Sequence, residues 1–115
     1  MSIKRHKVGP RMSQAVEHGD TVYLAGQVAD DPSADVAGQT EQILAKIDAL
    51  LAAAGTDKSK ALSATIWLTD MRFFADMNKV WDAWVSPGNT PARACVGAPL
   101  AAPPYLVEIG LIAAK

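Results

Sequence analysis

An arginine in the middle of an otherwise apolar strand is what most limits how this chain can fold. The stretch Thr90-Pro91-Ala92-Arg93-Ala94-Cys95-Val96 opens on a proline, which has no N–H to give a ladder and suits a strand start. Strand alternation then sets Ala92, Ala94 and Val96 on one face, with Arg93 and Cys95 on the other. A guanidinium keeps its charge and needs a partner wherever it loses water. Residues 106–113, Leu-Val-Glu-Ile-Gly-Leu-Ile-Ala, repeat the arrangement with Glu108 as the inserted charge. Together the two strands suggest one pocket that Arg93 and Glu108 both face.

The rest of the chain supplies the frame. Residues 3–8 alternate weakly and fit an edge strand whose lysines and arginine discourage further pairing. Residues 13–18 and 21–28 read as a hairpin joined through His18-Gly19-Asp20-Thr21, with Gly26 inside the second strand. Asp35 is placed to cap a helix that runs to Ala54 and stops at Gly55. Its buried stripe would be Ile43, Leu44, Ile47, Leu50, Leu51 and Ala54, with Gln39, Gln42, Lys46 and Ala53 turned away. Residues 60–69 form a strand with Leu62, Ala64, Ile66 and Leu68 on its aliphatic face and Ser63, Thr65, Trp67 and Thr69 opposite. Asp70 caps a second helix over 71–85, buried through Phe73, Phe74, Met77, Val80, Trp81 and Trp84. Strands with two intervening helices predict an α+β domain over residues 1–115, both helices on one sheet face. The other face then carries Tyr23, Trp67, Arg93, Cys95 and Glu108. Two aromatics and two charges suit neither water nor a monomer core, so subunits are expected to meet there.

Several functions are argued against. A net charge of −1 with no basic run gives nucleic acid no electrostatic footprint. No apolar run approaches the roughly 20 residues that span a bilayer, and no apolar segment follows Lys4-Arg5-His6-Lys7, so no membrane partner and a cytoplasmic setting are expected. One cysteine allows no internal disulfide and no multi-thiolate metal site; His6 and His18 lack ligand spacing, so no metal is expected. Phosphate-cradling glycine motifs are absent, which leaves no nucleotide cofactor.

Each remaining candidate has a chemical and a structural reading. Arg93 either clamps a carboxylate with its planar fork or pairs with Glu108. Glu108 either moves protons as a general acid/base or serves as that counter-ion. Cys95 reads as a small buried filler, Asp30-Asp31 as a turn or a hydrated-cation site, and Asn78 as a helix residue bonding a loop carbonyl.

The chain resembles the RidA (YjgF) family, once labelled L-PSP endoribonucleases. The matching pieces are Val22-Tyr23-Leu24-Ala25-Gly26-Gln27-Val28, Phe74-Ala75 with Met77-Asn78, Thr90-Pro91-Ala92-Arg93-Ala94-Cys95-Val96 and Val107-Glu108-Ile109. The resemblance implies a chorismate-mutase-like subunit with two helices on one face of a mixed sheet, assembled as a homotrimer with three intersubunit pockets. It also implies hydrolysis of reactive 2-imino or enamine acids to 2-keto acids and ammonia, without a cofactor. In that pattern Arg93 holds the substrate carboxylate and Glu108 stands near the attacking water. Cys95 and Gly26 line the pocket, Tyr23 lies beside them, and Asn78 supports the fold nearby.

The chain departs from the best-characterised deaminases at three places. Gly9-Pro10-Arg11-Met12-Ser13-Gln14 lacks their pocket tyrosine, Ala25 replaces a serine, and Gly110 replaces a second glutamate. The Arg11–Gln14 form resembles sister subgroups. Two functions follow as expectations: imine hydrolysis through Arg93 and Glu108, or a trimer that binds small carboxylates through Arg93 alone. Ribonuclease activity fits less well without a basic groove.

Overall fold

The computed structural model describes residues 2–115, and the last strand of the chain is the middle of its sheet. That strand, β6 (Val107–Ala114), buries Val107, Ile109, Leu111 and Ala113 and leaves Glu108, Gly110, Ile112 and Ala114 half-buried on the opposite side. It lies antiparallel between β3 (Thr21–Leu24) and β4 (Ala61–Leu68). Beyond β3 come β2 (Ala15–His18) and β1 (Ile3–His6); beyond β4 comes β5 (Ala92–Gly97). Among the described residues five strands alternate in direction, and β4 with β5 is the one parallel pair. A parallel pair needs a crossover, which α2 (Phe74–Trp84) provides; α1 (Val36–Ala53) links β3 to β4.

Both helices cover one face, so the domain is α+β as the residue pattern predicts. Ile43, Leu44, Ile47, Leu50 and Leu51 of α1 and Met77 and Trp81 of α2 meet Ile66, Leu68, Ile109 and Leu111 of the sheet. Each such side chain contributes about 1.5–3 kcal/mol when fully buried. The ends of α1 follow from its flanks. The Asp35 carboxylate accepts from the Gly38 N–H at 2.9 Å. Gly55, at φ +79°, lets the Thr56 N–H reach the Leu51 carbonyl and its own N–H reach Ala52. No described helix is long and apolar enough to cross a membrane.

Four details differ from the sequence reading. β3 ends at Leu24, and only a bridge between Gln27 and Ile109 continues the pairing; the buried Gln27 amide bonds Gln14 and the Ala25 carbonyl instead. Gly26 therefore sits in a break between pairings. A bulge between Ala61 and Ser63 turns Leu62 out to 51% exposure, off the aliphatic face. Asp70 caps a 3-10 turn, Met71–Phe73, so α2 starts at Phe74, whose ring is exposed. Gln39 is fully buried. Its Nε2 lies 3.0–3.1 Å from the Pro32, Ala34 and Pro104 carbonyls, and its Oε1 accepts from the Leu106 N–H. Helical periodicity cannot distinguish a solvated glutamine from one that fastens two loops.

Candidate functional site

The register of β5 overturns the expected placement of Arg93. Arg93 stands beside Ala64 and Cys95 beside Ile66, and in a parallel pair such neighbours share a face. Ala64 and Ile66 are buried under the helices. Arg93 and Cys95 thus lie on the helix-covered side, while Ala92, Ala94 and Val96 are exposed on the bare side. These faces are the reverse of those expected from alternation alone, which sends the charge away from the helices. Strand β5 is the sheet edge, so its arginine can stand on the helix side and still reach solvent.

α2 holds the guanidinium. Asn78 Oδ1 accepts from Arg93 Nη1 at 2.7 Å. Arg93 Cζ lies 5.4 Å from the Trp81 ring centroid and 5.9 Å from that of Phe74. Two aromatic faces and one amide fix the plane of the fork, and its other N–H groups remain available. The bond was expected to run from Asn78 to a loop carbonyl; the spacing of Asn78 one helical turn after Phe74 and one before Trp81 is the signal that could have joined it to Arg93. Cys95 packs against the core beside this site. Burial pushes its thiol up in pKa, and the Arg93 charge offsets this in part. A thiol held in its protonated form is a poor nucleophile.

Glu108 belongs to the other face. It pairs across the ladder with Trp67, and Tyr23 lies further along that face opposite Ile112. Tyr23 is 46% exposed. The Glu108 carboxylate turns toward Gly26, where an added Cβ would collide with Oε2. Among the described residues Glu108 has no hydrogen-bond or ion-pair partner, and loss of water raises its pKa. Arg93 and Glu108 therefore neither pair nor share a pocket within one chain, and the counter-ion reading of both falls. A cleft of about 940 Å3 between the helices past Leu44, Val80 and Trp84 is lined by neither of them.

The remaining candidates have structural partners. His6 Nε2 lies 2.5 Å from Glu17 Oε2, and Lys115 Nζ lies 2.7 Å from Glu17 Oε1. Those contacts, Lys115 first, hold the Glu17 pKa down at about 2. Asp30 bonds Lys46, and Asp31 accepts from Ser33, which makes the pair a turn. No described cluster of His, Cys, Asp and Glu gathers metal-ligand geometry.

Comparison with known proteins agrees with this architecture. The family model described as Endoribonuclease L-PSP matches residues 3–115. YoaB of Escherichia coli (strain K12), a RutC family protein, is 46% identical over 114 residues, 99% of each chain. A RutC family protein of Haemophilus ducreyi is 45% identical over 112 residues, 97% of this chain and 96% of its own. The crystal structure of NMB1025 from Neisseria meningitidis, a member of the YjgF protein family, matches with a TM-score of 0.98 at 47% identity, covering 100% of this chain and 96% of that one. Matched nearly end to end in sequence and in fold, the chain belongs to the endoribonuclease L-PSP family, the YjgF group that its motifs resemble.

Proposed function

We propose that three copies of this chain assemble through their bare sheet faces and hydrolyse 2-imino or enamine acids, in the cytoplasm and without a cofactor, at pockets between subunits. The observation that carries this reading is the separation of the two charges. Arg93 presents spare donors at the sheet edge on the helix side, and Glu108 stands unpartnered on the bare side. A site that uses both needs Arg93 of one copy and Glu108 of another.

In such a pocket the oriented Arg93 fork takes the substrate carboxylate through two parallel hydrogen bonds and sets the C=N carbon at a defined place. Water adds to that carbon. Glu108 takes a proton from the water and gives it to the nitrogen, then relays the adduct's hydroxyl proton to the same nitrogen, so that the C–N bond breaks and a 2-keto acid and ammonia leave. A carboxyl whose pKa is raised by lost water is suited to exchanging protons closer to neutrality. Gly26 leaves room for the carboxylate, and Cys95 and Tyr23 border the two halves.

An amino-acid oxidase generating imines in situ supplies the assay, and imine loss should accelerate when the protein is added. Co-assembly tests the shared site. Arg93→Lys and Glu108→Gln should each be slow alone, yet an equal mixture reassorted at random should recover about a quarter of wild-type turnover, because that share of all interfaces pairs an intact Arg93 with an intact Glu108. No recovery on mixing, with mixed trimers demonstrated by mass, would sink the shared site. The missing pocket tyrosine, replaced by the Arg11-Met12-Ser13-Gln14 run, favours a second reading: a trimer that binds small carboxylates without turning them over. Keto-acid binding with no acceleration for any imine would establish that alternative.

A further inference from the structure

We infer that Trp67 is the wall against which the substrate side chain rests, so that the preferred acids carry aromatic or branched apolar side chains. The inference rests on the site proposed above. A Cβ built on Gly110 would lie 3.5 Å from Cη2 and from Cζ3 of Trp67 and 3.9 Å from the Gly26 Cα. The six-membered edge of the indole therefore covers bare backbone at position 110. Gly26 adjoins that same spot, and a Cβ added to it would collide with the Glu108 carboxylate. Indole and carboxylate border one strip of side-chain-free backbone.

An acid gripped by Arg93, with its reacting carbon at a water beside Glu108, has the open face of this half-buried indole for its side chain. A flat or branched apolar group resting there removes water from the indole. A methyl group would leave most of the indole uncovered. A second carboxylate would meet Glu108 at close range, and like charges in a drying site repel. The glycine at 110 matters equally, because any side chain longer than a methyl would push the ring away.

Stable 2-keto acids serve as probes in calorimetry on the intact protein: phenylpyruvate, 4-methyl-2-oxopentanoate, pyruvate and 2-oxoglutarate. Wild type should bind the first two about tenfold more tightly than pyruvate, and 2-oxoglutarate least. Trp67→Ala should bring the phenylpyruvate-to-pyruvate ratio to within about threefold, and Trp67→Phe, the variant with the smaller structural change, should keep most of it. Equal wild-type affinity for phenylpyruvate and pyruvate overturns the inference, as does an unchanged ratio in Trp67→Ala. Turnover of imines separates the two claims. Hydrolysis without side-chain preference removes the wall and leaves the hydrolase, whereas selective binding without hydrolysis removes the hydrolase and leaves the wall. Failure to bind any keto acid overturns both.

Discussion

The two faces of this sheet follow different rules. Under the helices, Ile66, Leu68, Val107 and Ile109 are fully buried, and nothing but packing is asked of them. On the bare side, Tyr23, Trp67 and Glu108 stand among glycines, with Tyr23 and Val96 nearly half exposed. The first face is what hydrophobic burial selects. The second gives a lone subunit little stability, and in the proposed trimer its residue choices answer to contacts outside the subunit. Stability and chemistry should therefore separate by face, and substitution can test that division.

The largest effect expected is on the bare side. Glu108→Gln should lower turnover by about 10²–10⁴-fold while the urea midpoint barely moves. Leu51→Ala, on the covered side, should do the reverse. It should cost about 2–5 kcal/mol in chemical unfolding while turnover per folded trimer is retained. If both variants lose the same property, the division between faces is wrong. Arg93→Lys should weaken keto-acid binding by about ten- to hundredfold, the cost of about 1.5–3 kcal/mol for one charge-assisted hydrogen bond, because lysine offers a point charge and not a fork. Gly26→Ala should leave the fold intact, since the atom its Cβ meets is the free end of Glu108. Turnover should fall on the order of tenfold as that carboxylate is displaced, with Arg93-dependent binding little changed.

The smallest effect concerns two glutamates that titrate in opposite directions. Glu17 has a folded pKa of about 2 against an ordinary 4.5, so its stabilising contribution is present above 4.5 and lost as pH falls toward 2. Glu108 is raised, so its contribution is present below 4.5 and lost as pH climbs through its folded value. Melting temperatures should show Glu17→Gln converging on wild type in acid. Glu108→Gln should gain on wild type as pH rises. Parallel curves for the two variants would remove the contrast.

Much of the fold was legible because apolar residues repeat at a clear period. Residues 107–111 alternate in sequence and the burial keeps that period to Ala114, α1 carries both its cap and its stop signal, and the α+β order follows from them. The faces of β5 were not legible. Its apolar side is built of alanines and one valine, too little burial to decide which way it turns, and parallel pairing with β4 settled the matter through Ala64 and Arg93. Leu62 was misread for a related reason, since one extra residue in a bulge reverses alternation. Arg93 and Glu108 were legible as unusual charges. That they lie on opposite faces depends on strand order, which no local pattern records.

Gln39 carries one more consequence. Its single amide spans the loop before α1 and the loop between β5 and β6, and so ties down the connection separating Arg93 from Glu108. Three carbonyls surround its nitrogen and one N–H meets its oxygen, so both ends of the side chain are committed. Glutamate has the same shape but would turn an acceptor toward three acceptors, and leucine would strand all four groups without a partner. On the site proposed above, residue 67 can therefore change without disturbing the spacing of the two charges, while position 39 admits almost no neutral substitution.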